Sequence, residues 1–152
     1  MKKITFSILL IAFLIGGCSP YRSINNQKEN NEKTKTSIIA DWKLEMMSNK
    51  KYNQEQTSKN IRIRFDANNN RFSGNDGCNQ IFGNYQLLDD NNIIIEKIAS
   101  TKMACMRMEL SGAYKQLLIS SKHYTLEGET LKLIDASGQT VLKYVKIEKP
   151  NE

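Results

Sequence analysis

Apolar and polar side chains alternate with a period of two along most of this chain, which is the signature of strands with one buried face. Trp42, Leu44 and Met46 interleave with Lys43, Glu45 and Met47. Ser48 to Lys59 is polar and reads as a loop. Ile61, Ile63 and Phe65 alternate with Arg62 and Arg64, the clearest strand of all, and this places both arginines on its outer face. Asp66 to Asn70 is a turn, because Asn tolerates the left-handed region and bonds its own backbone. Phe72 opens the return strand. Tyr85 and Leu87 form the next, Asp89 to Asn92 turn the chain, and the β-branched run Ile93–Ile98 predicts an inner strand. Tyr124 with Leu126, Leu131 with Leu133, and Val141 or Leu142 with Tyr144 complete about eight short strands. Turns at Gly128-Glu129 and Ala136-Ser137-Gly138 separate them.

One segment departs from this period. Met106, Leu110, Ala113 and Leu117 fall at helical spacing and predict one helix from about Arg107 to Ser121. A sheet that closes on itself removes its exposed edges. The expected fold is mainly β, about eight short strands with one α-helix, and a small closed antiparallel β-barrel, which the family resemblance given below implies, agrees with that count. Gly74 and Gly77 bracket Asn75-Asp76 and predict a tight bend. Asn79 is expected to cap a short helical turn through Ile81 and Phe82. Trp42, Phe65, Phe72, Phe82 and Tyr85 are the aromatic side chains expected to fill the core.

The front of the chain follows a different logic. Met1-Lys2-Lys3 is positive, and Ile4 to Ile15 is almost wholly apolar. That run is too short for a bilayer span, which needs about 20 residues, but it fits the apolar part of a secretory signal. It ends in Leu14-Ile15-Gly16-Gly17-Cys18, small residues before a cysteine, as in a bacterial lipobox. The expectation is a lipoprotein signal peptide over 1–17 with Cys18 carrying the lipid. An ordinary cleaved signal with an incidental cysteine is the competing reading. Residues 18–36, rich in Asn, Lys, Glu and Thr, read as a flexible tether, 37–147 as the folded domain and 148–152 as a tail. Ser19 is compatible with the outer membrane if the cell is Gram-negative.

The formal charge of +6 is spread along the chain without a long like-charge run. Nucleic acid is not an expected partner of an exported protein with this pattern. The membrane, through the lipid, and another envelope protein are expected partners of a monomer. With Cys18 taken by lipid, Cys78 and Cys105 remain, and an exported compartment lets them form one disulfide. Two free buried thiols are the alternative. Such a loop closure is worth roughly 3–4 kcal/mol in the chain-entropy treatment.

The stretch from Phe72 to Cys105 also resembles a known family. Gly77-Cys78-Asn79, then Gly83-Asn84-Tyr85, then Ala99-Ser100-Thr101-Lys102-Met103-Ala104-Cys105 is similar to the signature of META-domain (HslJ-like) proteins. The resemblance runs from about Asp41 to Tyr144. It implies a lipocalin-like antiparallel barrel in a small secreted protein or lipoprotein. It makes Gly77, Asn79, Gly83, Tyr85, Thr101 and Met103 structural motif residues, and it implies no catalytic residues.

The residues offer little chemistry beside that. His123 is the sole histidine, and with Cys78 or Cys105 it lacks a third orienting group for nucleophilic catalysis. One His and two Cys fall short of a zinc ligand set. Asp66, Asn68 and Asn70, and separately Asp89-Asp90-Asn91-Asn92, offer oxygen ligands but lack the closing Gly and Glu of a calcium loop. Met103, Met106 and Met108 read as adaptable packing rather than a copper(I) site. Arg62, Arg64 and Lys102 read as a solvated face, with an anion-binding patch as the alternative. No cofactor, metal or enzymatic activity is expected. The functional expectation is a membrane-anchored binding protein in envelope maintenance or stress tolerance. The alternative is a small-ligand carrier barrel, which needs an apolar interior cavity.

Overall fold

The alternation of Ile61, Ile63 and Phe65 places three apolar side chains on one face, and in the computed structural model all three are buried. The structure describes residues 37–53, 55, 57, 59–105 and 107–148. The proposed leader, Cys18, the tether, Met106 and the tail beyond 148 lie outside the described residues.

Among the described residues, nine strands and one α-helix follow in chain order: β1 (Asp41–Met47), β2 (Lys50–Lys51), β3 (Arg62–Asp66), β4 (Arg71–Asn75), β5 (Gln80–Leu87), β6 (Ile93–Ser100), α1 (Met108–Ser120), β7 (Ser121–Glu127), β8 (Thr130–Asp135) and β9 (Thr140–Lys146). Eight strands form one curled antiparallel sheet in the order β6-β5-β4-β3-β1-β9-β8-β7, with β2 a stub paired to β1. The ends of this order approach each other, and an isolated antiparallel bridge, Asn92 to His123, links them. The mainly β, antiparallel architecture with one helix is as expected, with the eight-strand sheet curled into a half-barrel.

Trp42, Phe65, Phe72, Tyr85, Tyr114 and Tyr144 fill the interior and are fully buried. Trp42 donates its indole N–H to the Ile38 carbonyl at 2.8 Å, so a large ring enters the core with its polar atom satisfied. The Phe65 ring meets Tyr85 edge-on, with centroids 4.9 Å apart at 78°.

The structure differs from the pattern-based expectations at several places. Leu44 is buried but Met46 is not; a bulge between them shifts the β1–β9 register, and Met47 packs against the core instead. Ser48 and Asn49 form a tight turn with positive φ, which extends the expected loop into the β1–β2 hairpin. Gln80 to Leu87 is strand rather than a capped helical turn, because it pairs with both β4 and β6. Phe82 therefore points outward and is 43% exposed, while Ile81 and Tyr85 take the inward places. Gly74 belongs to β4, not to a turn; a Cβ there would lie 2.1 Å from the Arg62 carbonyl oxygen. Ile93 to Ser100 is not an inner strand but one end of the sheet order, with Ile93 and Ile95 buried and Ile94 exposed.

The helix forms where expected but presents a face rotated from the predicted one. Ser111, Tyr114 and Leu118 are buried, Leu110 and Leu117 are half-buried, and Ala113 is exposed. Tyr114 takes the inward place because its ring buries far more apolar area than Ala113 would. Its hydroxyl also meets that of Tyr144 at 2.9 Å, which removes the cost of burying it.

Candidate functional site

Four of the motif residues, Gly77, Asn79, Thr101 and Met103, converge on one place, the junction between the β4–β5 loop and the connector from β6 to α1. The loop is built by Asp76, which is fully buried. Its Oδ1 accepts the backbone N–H of Cys78 at 3.1 Å and of Asn79 at 2.7 Å. Gly77 follows with φ of +90°, where a side chain would be strained and would also meet Thr57.

Asn79 then reaches across to the connector. Its Oδ1 accepts the Met103 N–H at 2.7 Å and the Thr101 hydroxyl at 3.3 Å. Thr101 Oγ in turn accepts the Gln80 N–H at 3.1 Å, and the Thr101 N–H bonds the Gln80 carbonyl at 3.0 Å. Cys78 and Cys105 form the disulfide, with Cα atoms 6.0 Å apart and a sequence separation of 27. The Met103 carbonyl oxygen lies 3.5 Å from Cys78 Sγ, a contact only, since a bridged sulfur has no proton to donate. Asn79 and the disulfide thus fasten the same connector from neighbouring positions.

The remaining motif residues serve the sheet. Gly83 faces Phe72 across β4 and β5; a Cβ would lie 2.4 Å from the ring. Tyr85 donates its hydroxyl to the Asp66 carbonyl at 3.0 Å, tying the core to the β3–β4 turn. Burial, with the Asp66 charge adding, raises the Tyr85 hydroxyl above the ordinary tyrosine range.

The clasp has a charged flank absent from the sequence expectations. Lys115 on α1 places Nζ 3.6 Å from Asp76 Oδ2, an oxygen with no hydrogen bond among the described residues. Below it lies the Tyr114–Tyr144 pair. Burial pushes both hydroxyls well above the ordinary range. For Tyr114 the Tyr144 hydrogen bond opposes that rise and Asp76 adds to it; for Tyr144 the neighbouring Tyr114 adds to it.

Other residues singled out by sequence lie apart from the clasp. His123 is exposed on β7, at the bridge to Asn92. Asp66 spends both oxygens on its own turn, accepting Asn68 N–H at 2.9 Å and Asn69 Nδ2 at 3.1 Å. Asp89 and Asp90 lie in an exposed 3-10 turn. Arg62 and Arg64 are exposed on the outer face of β3, as the alternation implies, and Arg64 meets Asp41 at 3.7 Å. Lys102 and Met103, by contrast, belong to the connector that the clasp holds, and both are exposed. The signals for Asp76 and Phe82 were present but weak. Ile81, Gly83 and Tyr85 share one parity, which puts Phe82 on the other face.

A curled antiparallel sheet, one helix and a disulfide-backed clasp define a small half-barrel domain in which Asn79 and the Cys78–Cys105 bridge fasten the connector from β6 to α1. The chain belongs to the META domain family, whose profile matches residues 36–147. Its fold is similar to that of a protein from Burkholderia xenovorans solved by NMR, at 21% identity and a TM-score of 0.60 over 73% of this chain and 83% of that one. A DUF4847 family protein from Bacteroides vulgatus is similar at 14% identity and a TM-score of 0.55, over 78% of this chain and 99% of that one. No curated protein matches significantly.

Proposed function

We propose that this protein is a non-catalytic, lipid-anchored binding protein of the cell envelope, held by Cys18 and acting in envelope maintenance or stress tolerance through the outer surface of its domain. The observation that carries the reading is the filled interior. Six aromatic rings are fully buried where a carrier would keep its ligand cavity. A surface groove of ≈980 Å³ is lined by charged groups such as Asp41, Arg64, Asp66 and Lys146. That lining suits a surface contact better than an apolar cargo. The leader supplies the address: an apolar run ending in small residues before Cys18.

The test is fractionation of cells expressing the full chain and its Cys18→Ser variant. The native protein is expected in the membrane fraction with an acyl adduct by intact mass. The variant is expected in the soluble fraction or as unprocessed precursor. A variant that remains processed and membrane-bound refutes the anchor.

A further inference from the structure

The outer face of β3 to β6 carries an arrangement that the clasp and the core do not use. Phe82 pairs across the sheet with Ser73 on one side and Ala99 on the other. Both neighbours are small, and the ring is left 43% exposed on this face. On the same face, one row away, lie Arg62, Asn75 and Gln80, in register across β3, β4 and β5. On the opposite side lie Arg71, Asn84 and Glu96, in register across β4, β5 and β6. Two inter-strand spacings separate Arg62 from Gln80, about 10 Å.

The polar groups around the ring are largely uncommitted. Arg62 and Arg71 make no ion pair among the described residues. The side-chain amides of Gln80, Asn84 and Gln86 show no hydrogen bond there either. Beside the Phe82 platform, Arg71, Asn84, Gln86, Glu96 and Lys97 line a concavity of ≈310 Å³.

From these features we infer that the outer face of β4 to β6 binds a carboxylate-bearing glycan strand. A sugar ring has an apolar face that stacks on an exposed aromatic ring, and a rim of hydroxyls that needs both donors and acceptors. Asparagine and glutamine supply both from one side chain. Guanidinium groups on both sides of the platform pair with carboxylates, in a bidentate geometry that lysine cannot provide. A protein partner would want a broader, continuous apolar centre than Phe82 and the separate Ile94 provide. The larger groove beyond β3 sets four carboxylates, Asp41, Asp66, Glu129 and Glu148, against two cations, Arg64 and Lys146, whereas the concavity beside Phe82 sets Arg71 and Lys97 against Glu96 alone, a balance that favours an anionic ligand on the Phe82 side. This inference rests on the binding role proposed above and names the partner class for it.

The test uses two probes with the full mature protein: soluble oligogalacturonic acid, followed by titration calorimetry, and purified peptidoglycan sacculi, followed by co-sedimentation. Maltohexaose is the neutral control. At least one acidic glycan is expected to bind, more weakly as salt rises, with maltohexaose weaker still. Phe82→Ala is expected to weaken binding roughly tenfold, and the Arg62→Gln/Arg71→Gln pair by roughly three- to tenfold. All three positions are exposed, and unchanged melting curves establish that the variants fold. Binding to neither glycan, equal binding of maltohexaose, or binding indifferent to Phe82 overturns the inference. A protein that remains anchored through Cys18 and cross-links to an envelope protein while ignoring both glycans keeps the binding role and loses this ligand.

Discussion

Removing Asn79 and the disulfide together should cost less than the sum of removing each. The disulfide closes a separation of 27 residues. In the chain-entropy treatment that stabilises the fold by about 3.5 kcal/mol. Asn79→Ala deletes the acceptor for Met103 N–H and Thr101 Oγ, two hydrogen bonds worth about 1 kcal/mol each in net terms. Both devices hold the connector between β6 and α1. Once reduction lets that connector fray, the Asn79 hydrogen bonds are partly lost already. The Asn79→Ala penalty should therefore fall from about 2 kcal/mol in the oxidised protein to about 1 kcal/mol or less in the reduced one. Urea unfolding reports this through the fluorescence of Trp42, the chain's one tryptophan, which is fully buried. Four curves suffice: wild type and variant, each with and without reductant, with the slope compared to detect a change in the unfolded state. Penalties that agree within about 0.5 kcal/mol between the two redox states refute the idea of a shared clasp.

Three further outcomes follow from particular contacts. Gly83→Ala places a methyl 2.4 Å from the Phe72 ring and should destabilise the fold by about 1–3 kcal/mol; an unchanged urea midpoint counts against the close β4–β5 approach. Asp76→Ala strands two buried N–H groups and should cost about 2–4 kcal/mol, whereas Asp76→Asn keeps an acceptor and should cost clearly less; equal losses would mean the charge facing Lys115 dominates. The buried tyrosines give a pH signature. Their folded-state values are raised, so their contribution is intact below the unfolded tyrosine value near about 10 and declines above it. Thermal melts of wild type should fall more steeply above about pH 10 than those of Tyr114→Phe/Tyr144→Phe; parallel pH profiles would show that these hydroxyls do not couple to stability.

Strand placement was legible in this chain because the period-two pattern is a direct consequence of one-sided burial. Ile61-Ile63-Phe65 and Leu131-Leu133 carry that pattern cleanly, and both pairs of faces are as read. The errors fall where a second interaction overrides the period. At Leu44 to Met46 a bulge inserts one residue, so Met47 rather than Met46 meets the core. On α1 a hydroxyl pair with Tyr144 decides which face turns inward. Around Asn79 the local sequence has the composition of a helix start, yet long-range pairing with β4 and β6 makes it strand. The disulfide followed from counting cysteines, and the structure forms it. What it fastens depends on the Asn79 bonds to Thr101 and Met103, contacts between residues more than twenty positions apart. No local pattern encodes them.

The middle of the sheet joins β1 to β9, the first strand to the last. Each of them otherwise has a neighbour on one long side only, apart from the two-residue stub β2. A nascent polypeptide consequently has no complete half-barrel to settle into until β9 has emerged, because the entropy of closing the chain from β1 to β9 must be met in one late step. Until then the domain holds only partial sheets, and afterwards it locks at its own centre.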